Sequence, residues 1–141
     1  MIMAEECTFC RIIAGQIPAT IIHSDDRTFA FLDINPANKG HTLVLTRKHY
    51  ENLNEIPANE LGSLFEAVQK ISKAIEKGLK AEGYNILMNN KRPAGQIIDH
   101  AHIHIIPRFK GDEMQVRLGW AYKKYEQGED KTISEKIKKH L

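Results

Sequence analysis

The sequence predicts an α+β fold, with a five-stranded antiparallel sheet and one long helix, on three observations. Short apolar segments bounded by turn formers indicate strands over residues 19–23, 28–34, 41–45, 84–88 and 100–106. Apolar residues with helical spacing indicate one long helix between the third and fourth strands. Strands on both sides of a single long helix are typical of an α+β domain, and the simplest packing places that helix on one face of the sheet.

The elements before the long helix are indicated by local signals. A short first helix is predicted over residues 7–15, because its apolar residues have helical spacing and Gly15 can end it. Asp25 and Asp26 are turn formers, so they are expected to join the first two strands.

The long helix is expected to begin near Pro57 and to end near Gly83. One apolar stripe should face the sheet, formed by Leu61, Leu64, Phe65, Val68, Ile71 and Ile75. Pro107 is expected to end the fifth strand. A short terminal helix is predicted over residues 134–141, with Ser134 as its N-cap.

Length and charge limit the classes of function. The 141 residues suit a single domain with a real core. A net charge of +2 argues against a nucleic acid partner, because such a partner needs a clustered basic face. Glu5 and Glu6 interrupt any apolar leader, and no segment has the ~20 apolar residues of a spanning helix. The chain is therefore expected to be cytoplasmic, with no membrane partner.

Cys7 and Cys10 form a single C-x-x-C pair. In a reducing compartment this spacing favours metal or redox chemistry over a structural disulfide. A thioredoxin-like pair is disfavoured because no strand precedes it in a βαβ pattern. The alternative is two half-buried small side chains on a helix, since free cysteine is often buried.

His100, His102 and His104 occupy alternate positions in the segment GQIIDHAHIHIIPR, residues 95–108. On a strand these side chains share one face, and the intervening Ala101, Ile103 and Ile105 share the other, which should meet the core. Three interpretations are open: a solvent-facing strand that is rich in histidine, a metal site, and a nucleophile with its helpers. One ion cannot easily bind all three, because the outer two Cα atoms lie roughly 13 Å apart at strand rise.

The nucleophilic interpretation depends on the chemistry of imidazole. A neutral histidine, with an ordinary pKa of about 6.5, can attack phosphorus when one ring nitrogen is held as N–H and the other is free. Neighbouring histidines can then donate to the phosphoryl oxygens and carry protons. Asn89, Asn90 and Gln96 precede the histidines and add amide donors for phosphate and sugar oxygens.

The segment GQIIDHAHIHIIPR resembles the signature of the histidine triad (HIT) family, in which three histidines alternate with apolar residues. The resemblance continues through CTFCRIIAGQIPATIIHSDD and TFAFLDINPANKGHTLVLTRKH, so it covers residues 7–112 of a single domain over 1–141, with a tail over 113–141. It implies an α+β fold with a five-stranded antiparallel sheet and homodimers whose sheets join. It also implies a hydrolase or transferase that acts on the α-phosphate of purine nucleotide conjugates, either phosphoramidates or dinucleoside polyphosphates.

The same resemblance assigns roles to single residues. His102 would be the nucleophile that forms a nucleotidyl-histidine intermediate, and His104 would hydrogen-bond the phosphate or the bridging oxygen. His100 would support both, and Gln96 would contact the phosphate or the leaving group. The nucleotide would be bound by Phe9, Ile12, Phe31, Asp33, Ile34, His41, Asn89 and Gln96, in which Asp33 accepts from the ribose hydroxyls.

The resemblance also implies a structural zinc ion and no catalytic metal. Its ligands would be Cys7, Cys10, His49 and His100. Two residues depart from the family pattern: Ile97 stands where many relatives have a hydroxyl, and Asp99 stands where an aromatic or apolar residue is common. A carboxylate there could raise the pKa of a nearby histidine. Ile97 favours one alternative, a low-activity nucleotide-binding or scaffolding protein. A further alternative is a metal-dependent hydrolase that uses the histidines as ligands.

Overall fold

A computed structural model describes residues 6–113, 116 and 123–141 of the chain. The chain divides into two compact units, Met1–Lys110 and Gly111–Leu141. The first unit contains α1 (Thr8–Ile13), β1 (Ile21–Ser24), β2 (Thr28–Leu32), β3 (Thr42–Thr46), α2 (Ala58–Leu79), β4 (Gly83–Leu87) and β5 (His102–Arg108). The second contains α3 (Glu129–Lys138). No helix in the described ranges combines the length and the apolar character needed to cross a membrane.

The five strands form one sheet in the order β1-β2-β3-β5-β4, and every neighbouring pair is antiparallel. The predicted fold class is therefore confirmed, and each strand boundary lies within two residues of its predicted position. The chain leaves β3, forms α2, adds β4 at the edge and returns as β5 between β3 and β4. This return places the histidine-bearing strand in the interior of the sheet.

The two faces of the sheet carry separate apolar clusters, as the alternation of side chains predicts. On one face, α2 packs against Ala30, Val44, Ile103 and Ile105. On the opposite face, α1 places Phe9 against a second cluster that includes Phe29, Phe31, Leu43 and Leu45.

Cross-strand pairing decides which of these clusters the histidines join. Leu45 lies opposite His102, and Leu43 lies opposite His104. Residues directly opposite each other on antiparallel strands share a face. The two histidines therefore belong to the α1 face, in line with Phe31, which pairs with Leu43.

The predicted end of α2 was wrong. The helix ends at Leu79, and Lys80 takes a left-handed conformation with φ 55° at its C-cap. Gly83 instead begins β4. The predicted stripe is buried at most of its positions, but Phe65 is 47% exposed because it lies beside the surface that faces the sheet.

Two further boundaries differ from the predictions. Pro107 does not end β5, because the pairing of β5 with β3 stops at Ile105 and Pro107 has only β4 as a ladder neighbour. A strand tolerates proline where no partner needs its missing N–H. The terminal helix α3 begins at Glu129 after Gly128, not at Ser134.

Candidate active site

The three motif histidines do not share one strand. His102 and His104 lie in β5, whereas His100 lies in a bend before the strand. The prediction that His100 belongs to the strand was wrong, because the Ala101 N–H donates to the Tyr50 carbonyl at 2.7 Å and so leaves the β3 ladder. His100 is fully buried as a result.

His102 has one ring nitrogen fixed as a donor. Its Nδ1 lies 2.7 Å from the carbonyl oxygen of His100, which can only accept a hydrogen bond. The proton is therefore on Nδ1, and Nε2 carries a free lone pair. Burial lowers the pKa of His102 below its ordinary value, so the ring is neutral near pH 7. A neutral imidazole with a free nitrogen has the electronic form of a nucleophile.

His104 is the neighbour of His102 on the same face, with ring centroids 5.0 Å apart. Its Nδ1 lies 2.9 Å from Nε2 of His41, which comes from the loop before β3. Burial, together with the nearby His102 and His41, lowers the pKa of His104 to about 4, although Asp33 acts in the opposite direction. Burial also lowers the pKa of His41. The rings are therefore uncharged at neutral pH.

A cavity of about 490 Å³ opens beside these rings. His102 and His104 line it together with every predicted nucleotide-binding residue except His41 and Gln96, namely Phe9, Ile12, Phe31, Asp33, Ile34 and Asn89. The sequence did not single out several other lining residues, which are Thr8, Ile17, Pro18, Ala19, Asn35, Leu43, Gly95 and Ile98. For Leu43, the local signal was its place in an apolar strand segment, but its pairing with His104 depends on the sheet order.

Asp33 has two neighbours at the cavity. Its Oδ1 accepts a hydrogen bond from the Asn35 N–H at 2.9 Å, so it stabilises the turn after β2. Its Oδ2 lies 3.7 Å from Nε2 of His41. The Asp33 carboxylate therefore stabilises the turn. Among the described residues, it is also the one Asp, Glu, Lys or Arg side chain in the lining of the cavity.

The four predicted metal ligands lie together. Their ligand atoms are all within 4.8 Å of one another. Nδ1 of His100 lies 3.5 Å from the Sγ atoms of both Cys7 and Cys10, and Nδ1 of His49 lies 3.4 Å from Sγ of Cys10. Three separate segments, α1, the loop after β3 and the bend before β5, supply these side chains.

Comparison with known proteins places the chain in a family. A family model described as the HIT domain matches residues 14–111. The chain belongs to the HIT family. An uncharacterised HIT-like protein of Methanocaldococcus jannaschii is 50% identical over 113 residues, which is 80% of this chain and 87% of that protein. The adenosine 5'-monophosphoramidase of Candida albicans is 34% identical over 139 residues, which is 96% of this chain and 91% of that protein.

Solved structures of HIT proteins have the same fold. A crystal structure of a HIT family member from Bacillus subtilis has a TM-score of 0.84 and 40% identity, and it covers 96% of each chain. A zinc-bound histidine triad protein from Mycobacterium smegmatis has a TM-score of 0.75 and 36% identity, and it covers 79% of this chain and 81% of that chain.

In this HIT protein, Gln96 is directed into the protein and is only 3% exposed. Its Nε2 donates to the carbonyls of Glu51 and Ile98, at 2.6 and 2.9 Å, and its Oε1 accepts from the Lys91 N–H at 2.7 Å. These partners are all backbone groups. Gln96 therefore holds the loop between β4 and β5 in place, and its contact with a phosphate or a leaving group stays a prediction.

The two departures from the family pattern have different surroundings. Ile97 is 80% exposed and lines the cavity, so an apolar side chain stands where many relatives offer a hydroxyl. Asp99 forms an ion pair with Arg92, with 3.0 Å between Oδ2 of Asp99 and Nη2 of Arg92. The expected effect of Asp99 on the pKa of a motif histidine is not seen, because the groups that shift those histidines do not include it.

The Cys7, Cys10, His49 and His100 set fits a zinc ion. Nε2 of His100 donates to the Thr46 carbonyl at 2.8 Å, which leaves its Nδ1 lone pair directed at the two sulfurs. Burial lowers the pKa of His100 to about 4, so this ligand atom is unprotonated. Burial and the neighbouring Cys7 raise the pKa of the Cys10 thiol to about 12, which favours the protonated thiol. A bound cation would favour the thiolate instead, because it stabilises the negative charge on sulfur.

Proposed function

We propose that this HIT protein hydrolyses purine nucleotide conjugates at the α-phosphate through a nucleotidyl intermediate on His102. The observation that carries the proposal is the tautomer of His102, a residue that lines the cavity: the His100 carbonyl holds its Nδ1–H, and its Nε2 has no hydrogen-bond partner among the described residues. The relative from Candida albicans, which is named an adenosine 5'-monophosphoramidase, supports a phosphoramidate as the substrate.

The proposed reaction has two displacements at phosphorus. The lone pair of His102 Nε2 forms an N–P bond, and the bond from phosphorus to the leaving nitrogen or oxygen breaks with its electron pair on the leaving atom, which takes up a proton. The resulting imidazolium is stabilised because its Nδ1–H still donates to the His100 carbonyl. Water then attacks phosphorus and loses a proton, and the N–P electron pair returns to Nε2. The products are the free amine or nucleotide and a nucleoside monophosphate.

The proposed nucleoside pocket is the apolar part of the cavity. Phe9, Ile12 and Phe31 are buried and give flat, apolar contacts for a purine. Asp33 would accept hydrogen bonds from both ribose hydroxyls through the two oxygens of its carboxylate. This arrangement would set the α-phosphate beside His102 and His104, which line the same cavity.

Rapid-quench mass spectrometry with adenosine 5'-phosphoramidate tests the proposed function. A single turnover of the wild-type chain should yield an adenylylated peptide that contains His102, and the adduct should disappear as AMP is released. If the substrate binds but neither the adduct nor AMP forms, the chain is a nucleotide-binding protein without this activity.

Ile97 favours that second function, because this exposed apolar side chain cannot donate a hydrogen bond to a phosphate or a leaving group. The variant Ile97→Ser is expected to raise kcat/KM for adenosine 5'-phosphoramidate about tenfold, since a hydrogen bond to a charged group contributes ~1.5 kcal/mol or more. The matched variant Ile97→Val, which adds no donor, should match the wild type in the same steady-state assay. An equal effect of both variants would contradict this explanation.

We also propose that the edge strand β4 joins two copies of the chain into a homodimer. β4 is an outer strand of the sheet, and its Tyr84, Ile86 and Leu87 are exposed apolar side chains. The variant Ile86→Lys is expected to shift the sedimentation coefficient from that of a dimer to that of a monomer. The control Ile21→Lys changes an exposed side chain on the opposite edge strand and should leave the dimer intact. A monomeric wild type would refute this proposal.

A structural zinc ion at the Cys7, Cys10, His49 and His100 set completes the proposal. Bound zinc would hold α1, the loop after β3 and the His100 backbone together, and it would supply no step of the reaction. Cys7 and Cys10 form no disulfide, which suits a reducing compartment and the cytoplasmic location expected from the sequence.

A further inference from the structure

His41 has hydrogen-bond partners on both of its ring nitrogens. The Ala37 N–H donates to Nδ1 at 2.9 Å. A backbone N–H can only donate, so Nδ1 of His41 carries no proton and accepts. In the neutral ring the proton must then be on Nε2.

This proton determines the state of the next histidine. Nε2 of His41 lies 2.9 Å from Nδ1 of His104, so His41 donates and Nδ1 of His104 accepts. His104 therefore carries its own proton on Nε2, the nitrogen that remains for the substrate, since His104 lines the cavity. Asp33 is also near His41, but its carboxylate is 3.7 Å from the same nitrogen. His104 is thus the closer acceptor.

The loop that carries Ala37 is held at both ends. The Asp33 N–H donates to the His41 carbonyl at 2.9 Å, and the His41 N–H donates to the Asn38 carbonyl at 3.1 Å. Gly40 has φ 93°, and a Cβ atom on it would come within 2.4 Å of Cδ1 of Leu79. The position therefore requires glycine, and the close packing on α2 fixes the loop beside His41.

We propose that His41, fixed by the Ala37 N–H, is a positioning residue that sets His104 as an Nε2–H donor toward the substrate. The two adjacent histidines then present opposite forms to one cavity. The His100 carbonyl gives His102 a free Nε2, and the Ala37 N–H, acting through His41, gives His104 a protonated Nε2. This last step rests on the proposed function: His102 attacks phosphorus, and His104 supplies the proton that the leaving group needs.

The environment keeps His41 in the neutral state on which this scheme depends. The ring is 5% exposed, and burial lowers its pKa. Among the charged and titratable groups that act on it, Asp33 raises the pKa, whereas Arg108 and His102 lower it. Protonation of Nδ1 would also place two donors, the ring and the Ala37 N–H, against each other.

Nitrogen-15 NMR of the histidine rings in the purified 141-residue chain, with any metal that it binds left in place, tests the proposal without any turnover. Wild-type His104 should show a protonated Nε2 and an unprotonated Nδ1, and His102 should show the reverse. His104 with its proton on Nδ1 would overturn the proposal. This spectrum is independent of the proposed function, so a chain that hydrolyses no conjugate could still show the expected pair of tautomers.

A matched pair of variants tests the role of the donor. His41→Gln keeps an amide N–H that can reach the position of Nε2, whereas His41→Leu removes the donor at similar volume. His41→Leu is expected to lower kcat at least about tenfold and to change the His104 ring signals, with little change in KM. His41→Gln should restore kcat to within about threefold of the wild type and should restore the His104 signals.

The variants can also contradict the proposal. If His41→Leu leaves both the His104 signals and kcat unchanged, His41 does not set the tautomer. If His41→Gln is as impaired as His41→Leu although both are folded by circular dichroism, the side chain acts by packing. If either variant fails to fold, the wild-type spectrum decides the question.

Discussion

Replacement of His102 by alanine is expected to lower the rate of AMP release from adenosine 5'-phosphoramidate by at least about 10³-fold. The variant has no Nε2 lone pair beside the cavity, so the nucleotidyl intermediate cannot form. Its affinity for AMP should stay within a few fold of the wild type, because the apolar pocket and Asp33 are unchanged. Single-turnover kinetics and equilibrium binding by calorimetry measure the two quantities separately.

The control for this variant is His23→Ala. His23 lies in β1, pairs with Asp25 at 2.9 Å and does not line the cavity that holds His102. The His23→Ala variant should therefore release AMP at the wild-type rate. Undiminished hydrolysis by His102→Ala would refute the proposed mechanism, whatever the control shows. Loss of AMP binding together with activity would instead indicate that the alanine variant has lost the shape of the pocket.

Removal of zinc is expected to have the largest effect on stability. The wild-type chain should bind one zinc ion, and a strong chelator should lower the free energy of unfolding by several kcal/mol, because the energy of binding structural zinc is folding energy. Urea unfolding with and without chelator measures the difference, and elemental analysis gives the zinc content. Cys10→Ser should be less stable than the wild type and insensitive to chelator.

Two results would contradict a structural zinc. A purified wild-type chain that contains no zinc, and a Cys10→Ser variant that is as stable as the wild type, would show that the four side chains form no metal site. A third result would favour the metal-dependent hydrolase instead. In that case chelation would abolish hydrolysis while the unfolding curve stayed unchanged. For a structural ion, stability should fall first, and kcat should follow because the backbone of His100 holds His102.

The fold was largely predictable because its signals are local. Alternation placed Phe29 and Phe31 on one face of β2, and helical spacing placed Leu64, Val68 and Ile71 on the buried face of α2. The ends of the elements were less predictable. Gly83 was expected to end α2, yet the helix ends at Leu79 and Lys80 is its C-cap, in the left-handed conformation that sequence patterns assign first to glycine.

The residues of the candidate site were predictable in type but not in orientation. Gln96 was expected at the phosphate, yet backbone groups from Glu51, Lys91 and Ile98 take up its side chain. Its orientation depends on Glu51, 45 residues away along the chain. No pattern within the motif could have indicated that partner.

The sequence by itself determined that three histidines, an amide-rich loop and a C-x-x-C pair belong to one α+β domain, because residue types and their periodicity are written along the chain. Only the tertiary structure decided how the histidines differ. Tyr50 and Thr46 take His100 out of the strand and direct its Nδ1 at the cysteines, and Ala37 acts through His41 on His104. The tautomer of an imidazole follows its hydrogen-bond partners, and several of these come from segments far from the motif in sequence.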